Sequence, residues 1–278
     1  NIGVQLLIYL TGRGRIFREY WGAVRYQGTF NDPNQLAFFL FMMILLLYLY
    51  RCRFGDRSFP VFYVLALPVI AASKSTGILL GVLIFTVLAV LHALYRVGCR
   101  KGVSMKVWTL GIVIGVVLFG LFLWWIWPAA DFDVKSVDYN MSTRIQEKIW
   151  KVAHGGLLGL FLDRGMEKLV LYPQYLLYGA GEGGFDRFTL ASQVNEIHCC
   201  LFSVMFCYGL IPTLCLLVWL GRKLRYADAA MACAVMGLLA ESFFLVNYRQ
   251  PMFWMILLYG SVVRMDGDGD RTSILVAE

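Results

Sequence analysis

The sequence predicts an all-α fold, a polytopic transmembrane helical bundle with a large outer-face loop that carries short amphipathic helices. Three observations predict it. The 278 residues are 59% hydrophobic and 15% charged, against roughly 25% charged for an ordinary soluble domain. The apolar residues fall in runs close to the roughly 20 that cross a bilayer as a helix. One polar stretch, roughly 70 residues from Pro128 to His198, is far longer than the 12 to 15 residues of an idle connection.

The apolar runs place spans near Gln35 to Tyr50, Phe59 to Ala72, Gly77 to Tyr95, Val107 to Trp127, Cys199 to Gly221, Ala227 to Val246 and Pro251 to Val263, with Ile2 to Leu10 as the end of another. The second run carries Pro68 and is short, so a tilted or broken helix is expected there. Four regions follow: 1–127 with the N-terminal spans, 128–198 as the outer loop, 199–264 with the C-terminal spans, and 265–278 as a polar tail.

Charge sets the orientation. Arg51, Arg53 and Arg57 fill one connection, Arg96, Arg100, Lys101 and Lys106 another, and Arg222, Lys223 and Arg225 a third. Lys and Arg beside span ends stay on the cytoplasmic side. The opposite, extracytoplasmic face then receives Thr11 to Asn34, Ser73 to Thr76, the long loop, and Asn247 to Gln250. Arg13, Arg15, Arg18 and Arg25 run against the rule, so either the orientation is reversed or they are held outside for a purpose. The net charge of +7 is spread between apolar runs and forms no basic face with interleaved aromatics, which argues against nucleic acid. The seven cysteines include no C-x-x-C pair and read as small buried hydrophobes.

Several short motifs carry chemistry on the outer face. Asn31, Asp32 and Asn34 surround Pro33 at the start of a span and suit helix capping; the same helix end also offers N–H groups to an anion. Lys74, within Ser73-Lys-Ser-Thr76, either snorkels to the interface or meets a phosphate in a polar cavity. Arg144 and Trp150 share a short helix started by Ser142 or Thr143 and point to different sides, with Trp150 as interfacial anchor and Arg144 directed to solvent or substrate. A second amphipathic segment runs from Met166 to Leu177. The run Gly179-Ala-Gly-Glu-Gly-Gly184 lacks the βαβ setting of a dinucleotide site and reads as a flexible turn. His198 stands where the long loop enters a span, and its ordinary pKa near 6.5 suits proton transfer. Glu196 lies near enough to orient it, although two residues apart on a helix diverge. No second ligand is spaced for a metal. Arg249 sits in the last outer loop, as interfacial anchor or anion contact. Asp266, Asp268 and Asp270 mimic the start of a calcium loop, but Arg271 stands where its glycine belongs.

Taken in order, Arg25 to Ala37 with its Gly-Thr-Phe-Asn-Asp-Pro-Asn core, Ser73-Lys-Ser75, Arg144 with Trp150, Tyr178-Gly-Ala-Gly-Glu-Gly-Gly-Phe185, and Glu196-Ile-His198 followed by Tyr208-Gly-Leu-Ile-Pro212 resemble the bacterial O-antigen ligase and polymerase family. The resemblance covers nearly the whole chain. It implies an integral membrane glycosyltransferase of the inner membrane that takes glycan from an undecaprenyl-diphosphate carrier on the outer face. A ligase passes the glycan to lipid A core and a polymerase to a second carrier-linked repeat. It implies no metal and no cofactor, with Arg144 and His198 carried over as site residues and Glu196 beside the histidine. Arg25, Lys74 and Arg249, with Asn31 and Asn34, enter on electrostatic grounds as substrate contacts. The chain begins at Asn1 and shows fewer spans than such proteins usually have, so an upstream portion of the fold is expected. A transporter or flippase of lipid-linked sugars is the alternative; it calls for charges deep inside spans, for which Glu241 is the main candidate. A membrane scaffold would leave the long outer loop unexplained.

Overall fold

In the computed structural model the described residues are 2–12, 17–20, 23–101, 117, 120–121, 124, 127, 141–192, 196–225 and 227–262. The chain is mostly helical, with almost no strand. The expected span from Val107 to Trp127 and the tail from Asp266 to Glu278 lie largely or wholly outside the described residues.

Helix α1 (Ile2–Thr11) leads to a hairpin of β1 (Phe17–Tyr20) and β2 (Ala23–Tyr26), paired antiparallel with Phe17 opposite Tyr26 and Tyr20 opposite Ala23. The all-α expectation missed this hairpin. Its seat is Tyr26, fully buried, whose hydroxyl donates to the Gln5 carbonyl at 2.8 Å and whose ring meets Tyr9 and Phe17 edge-on. Gly28 follows at φ +55°, and a Cβ there would stand 2.1 Å from the Gln5 side-chain oxygen, so the turn requires glycine.

Helix α2 (Pro33–Phe54) has the capping chemistry expected of it. The Asp32 carboxylate accepts from the Asn34 and Gln35 amides at 2.7 and 3.2 Å, and Pro33 opens the first turn. Left-handed Gly55 closes it by donating to the Arg51 carbonyl at 2.9 Å. This helix is the centre of the molecule: Leu36, Leu40, Phe41, Ile44, Leu45 and Leu49 are all fully buried. Around it lie α3 (Phe59–Ala72), α4 (Thr76–Lys101), α10 (Ala229–Ser242) and α11 (Pro251–Val262).

Close approach of α4 and α10 depends on Gly81 and Gly237. A Cβ on Gly81 would lie 2.9 Å from the Gly237 carbonyl, and one on Gly237 would lie 2.7 Å from Phe85 Cβ. Gly77, one turn earlier on α4, faces Phe244 in the same manner. Small residues four apart are how helices in lipid bring their backbones together.

The described parts of the long loop, residues 141–192 and 196–198, are folded. Helix α5 (Met141–Asp163) is broken at Gly156, whose φ and ψ of 58° and −159° are non-helical. The break folds the helix back on itself, so that Lys148 and Lys151 reach Asp163 at 2.7 and 3.0 Å. The segment expected from Met166 to Leu177 divides into α6 (Lys168–Leu171) and α7 (Tyr175–Tyr178), followed by a 3-10 turn at Phe185–Arg187. Their apolar sides form a second small core, where Phe188 packs edge-on against Tyr172, Tyr175 and Phe206.

Among the described residues two helices are long and apolar enough to cross a bilayer, Pro33–Phe54 and Thr76–Cys99. The other expected spans that fall within the described residues are shorter or broken. Helices α3 and α10 have 14 residues each, roughly 21 Å at 1.5 Å per residue. The run from Cys199 to Gly221 is broken into α8 (Cys200–Tyr208) and α9 (Leu210–Arg225). Gly209, at φ +89°, makes the break: a Cβ there would stand 2.7 Å from the Leu177 carbonyl, because α7 packs against the junction.

Candidate functional site

The helix directions divide the polar groups between two ends. At one end Tyr48 on α2 bonds His92 on α4 at 2.9 Å, within reach of the charges of Arg96 and Asp228. Arg51 and Arg53 occupy the last turn of α2 there, and Arg222, Lys223 and Arg225 the last turn of α9. At the other end lie the start of α2, the α3–α4 turn and the α10–α11 loop. The folded segments 164–192 and 196–198 dock on that second end.

Arg25 is almost wholly buried. Its Nε donates to the Ser73 carbonyl and its Nη2 to Asn34 Oδ1, both at 2.7 Å. The residue therefore ties the hairpin to the end of α3 and to the start of α2. Asn34 serves that tie, whereas Asn31 is exposed and Asp32 does the capping. Lys74 closes α3 with φ +52°, the one non-glycine residue at positive φ among the described residues. Glycine or asparagine is the ordinary choice for that conformation.

Arg249 was expected to grip an anion; two carboxylates already hold it. Glu182 Oε2 lies 2.6 Å from Nη2, and Glu196 Oε2 contacts Nη1. Tyr208 donates to Glu182 Oε1 at 2.9 Å, and Tyr248 donates to the same oxygen. Burial works to raise the Glu182 carboxyl, but the two tyrosine hydroxyls and Arg249 outweigh it and hold it below its usual range. Burial likewise works to lower Arg249, and Glu196 and Glu182 outweigh it and raise it.

Glu182 went unnoticed in the sequence because it sits inside the glycine run. That run is not a loose turn. The Ala180 and Gly181 amides donate to the Phe206 and Cys207 carbonyls at 2.8 and 2.9 Å, at the end of α8. A Cβ on Gly179, at φ +80°, would stand 2.5 Å from the Cys207 carbonyl. Glycine lets the backbone lie against the helix end and deliver Glu182 to Arg249.

Glu241 supports the same loop. It is fully buried in the last turn of α10 and accepts from the Asn247 side-chain amide. The buried Glu241 side chain thus fixes the loop that carries Tyr248 and Arg249.

His198 is half-buried, and its backbone amide donates to the Arg164 carbonyl at 2.9 Å. Burial is the main cause that pushes its imidazole below the usual range; Arg164 and Lys168 push the same way, while Glu196 and Asp163 oppose. The ring is accordingly neutral at pH 7. Glu196 lies close enough to act on His198 through space, but its carboxylate is bonded to Arg249. The expectation that it orients the histidine gives way to this pairing.

Arg164 is the neighbour that sequence reasoning missed. Its Nη1 donates to the Phe244 carbonyl at 2.9 Å and its guanidinium stacks on the Phe244 ring at 4.9 Å. The Asp-Arg-Gly-Met turn carried a signal only in hindsight, as a basic residue between two amphipathic helices. Lys168 beside it is fully buried, and burial pushes its ammonium below the usual range against the pull of Glu167. Arg144 lies on α5, but its side chain is outside the described residues; Trp150 stacks on His154 at 4.4 Å. Among the described residues no group of three or more His, Cys, Asp or Glu is arranged to hold a metal.

No family model, curated protein or solved structure matches the chain.

Proposed function

We propose that the chain is a polytopic membrane glycosyltransferase of the O-antigen ligase and polymerase type, acting on glycan carried by undecaprenyl diphosphate at the outer face of the cytoplasmic membrane. The observation that carries this reading is the gathering of His198, whose amide bonds the Arg164 carbonyl at 2.9 Å, with Arg164 and Lys168 at the end of the bundle opposite the short basic connections. Outward apolar faces support a lipid setting: Leu83, Val87, Val90, Leu91 and Leu94 on α4, and Ile211, Leu214, Leu217 and Val218 on α9, are all exposed.

The chemistry needs little else. An acceptor hydroxyl attacks the anomeric carbon of the donor glycan and gives its proton to the His198 imidazole. The bond from that carbon to the diphosphate oxygen breaks, and the leaving diphosphate takes the electron pair. Preorganised cations in a partly dehydrated site stabilise that developing charge. Arg144 is given this role by the family resemblance alone. Arg249 is better read as a fastener of the loop than as a diphosphate contact, because its two carboxylates leave one negative charge in excess.

Purified protein should elongate a carrier-linked repeat with no other acceptor if it is a polymerase, or require lipid A core if it is a ligase. His198→Ala should lower transfer by roughly 100-fold or more, and Arg144→Ala should do the same, with the protein still accumulating in the membrane. Normal chain length in both variants would sink the reading. The flippase alternative gains little from Glu241, because that carboxylate sits in the last turn of α10, where it holds Asn247.

A further inference from the structure

Helix α9 is too short to cross a bilayer alone. Its 16 residues rise about 24 Å at 1.5 Å per residue, against a hydrocarbon core about 30 Å thick. Arg222, Lys223 and Arg225 hold its last turn at the basic end of the molecule, where such residues meet the cytoplasmic headgroups. Its first turn, at Leu210, then stops about 6 Å short of the outer boundary of the hydrocarbon. Helix α7 lies in that gap. The Leu177 carbonyl and the Gly179 nitrogen stand 2.7 and 3.3 Å from where a Cβ on Gly209 would be, so α7 is held against the start of α9 by backbone contact.

The end of α7 nevertheless leaves its large side chains bare. Leu177 is 74% exposed and Tyr178 68%, beside Ile211 at 72% on the first turn of α9. Such a patch is unfavourable in water and at home in hydrocarbon. It continues the exposed face of Leu214 and Val218 further along α9. On its other side Tyr208, half-exposed, donates to Glu182 of the Arg249 clamp. The flank thus passes from charged groups through tyrosines to aliphatic side chains, the order found from headgroups into the core of a leaflet. We infer that α7 inserts into the outer leaflet, where Leu177 and Tyr178 meet phospholipid chains just below the headgroups and complete the lipid-facing surface that α9 begins. Phospholipid is the fitting occupant because α7 has four residues, far fewer than the roughly 20 to 30 a side of a stable protein interface. The outer segment is then anchored in the membrane, with the Glu182–Arg249 clamp at headgroup level.

The inference rests on the membrane setting of the glycosyltransferase reading, and its test needs no transfer. Leu177→acridonylalanine puts a fluorescent side chain at an exposed site. The full chain is reconstituted in vesicles of phosphatidylethanolamine and a phosphatidylcholine brominated near the headgroup end of its chains; bromine quenches from the lipid, and iodide in the buffer quenches from water. Leu177→acridonylalanine and Ile211→acridonylalanine should each lose at least half their emission to bromine and almost none to iodide. Asp186→acridonylalanine, in the exposed 3-10 turn, should do the reverse. Iodide quenching at Leu177 beside bromine quenching at Ile211 would overturn the insertion, as would bromine quenching at Asp186 equal to that at Leu177. Emission at Leu177 shielded from both quenchers also overturns it and makes a second copy of the chain the cover. Bromine quenching at Leu177 in protein that transfers no glycan keeps the insertion and removes the glycosyltransferase reading. Transfer by protein whose Leu177 position is open to iodide removes the insertion alone.

Discussion

Arg249 and Arg164 stand at the same end of the molecule and are held in different ways. Two carboxylates, from Glu182 and Glu196, close on Arg249, and two tyrosines brace one of them. The groups that fix Arg164 include a backbone carbonyl and an aromatic face, both from Phe244. The difference is between a cation that joins two loops through their carboxylates and one that meets a carbonyl and a ring at the end of α10. Sequence places both in outer polar connections and does not tell them apart; their partners do.

Substituting each arginine is the strongest way to break that comparison. Arg164→Gln should reduce glycan transfer about 100-fold, the scale of one lost charge-stabilising donor, with little change in Tm. Arg249→Met should do the reverse. It leaves Glu182 and Glu196 facing each other with no cation between them, costing about 1 to 2 kcal/mol of stability, while correctly folded protein keeps most of its transfer rate. Thermal denaturation and transfer assays on both variants decide it, and matching profiles would erase the distinction.

Acid supplies a second, smaller contrast. His198 acts as a base only when neutral, and its folded pKa lies below the ordinary imidazole value near 6.5. Transfer should therefore hold steady down through pH 6.5 and fall only as pH drops through that lowered value, with Arg164 and Lys168 keeping it low and Glu196 and Asp163 working against them. The Glu182 clamp has a depressed carboxylate, so its stabilisation is complete above the unfolded carboxylate value and is lost only as pH falls below the usual range. The Asp163 carboxyl behaves alike: burial opposes ionisation, but Lys148 and Lys151 hold it down at about 2. Activity should disappear at a pH where the loop is still folded. A pH–rate profile beside a pH–Tm profile measures the gap, and coincident midpoints would mean that the histidine is not the titrating base.

How much of this was legible beforehand follows from where each interaction is encoded. The α2 cap was readable because Asn-Asp-Pro-Asn acts on amides within three residues of itself. The placement of Arg51, Arg53 and Arg222 to Arg225 at one end, away from the start of α2, was readable because it depends on helix direction alone. The hairpin was not, because its anchor, Tyr26, bonds a carbonyl 21 residues away on α1. The break at Gly209 is invisible without the Leu177 carbonyl that occupies the space of its side chain. Glu182 was hidden for the same reason: within six residues of glycine and alanine it looks like a polar turn, and only α8 and the α10–α11 loop give it partners. Tertiary contacts, not local preference, wrote those features.

Lys74 is a third cation, and it sharpens the comparison with the smallest expected effect. Its backbone is left-handed at φ +52°, which costs an L-residue about 1 kcal/mol relative to glycine. Glycine recovers that strain but loosens the unfolded chain by roughly 0.5 to 1 kcal/mol, so Lys74→Gly should leave stability within a few tenths of a kcal/mol of the parent. If Lys74 resembles Arg249, removing its side chain should instead lower Tm and spare transfer. If it contributes charge to the site, transfer should fall several-fold at unchanged Tm. The second outcome is the one expected on the proposed glycosyltransferase reading, in which Lys74 is a substrate contact.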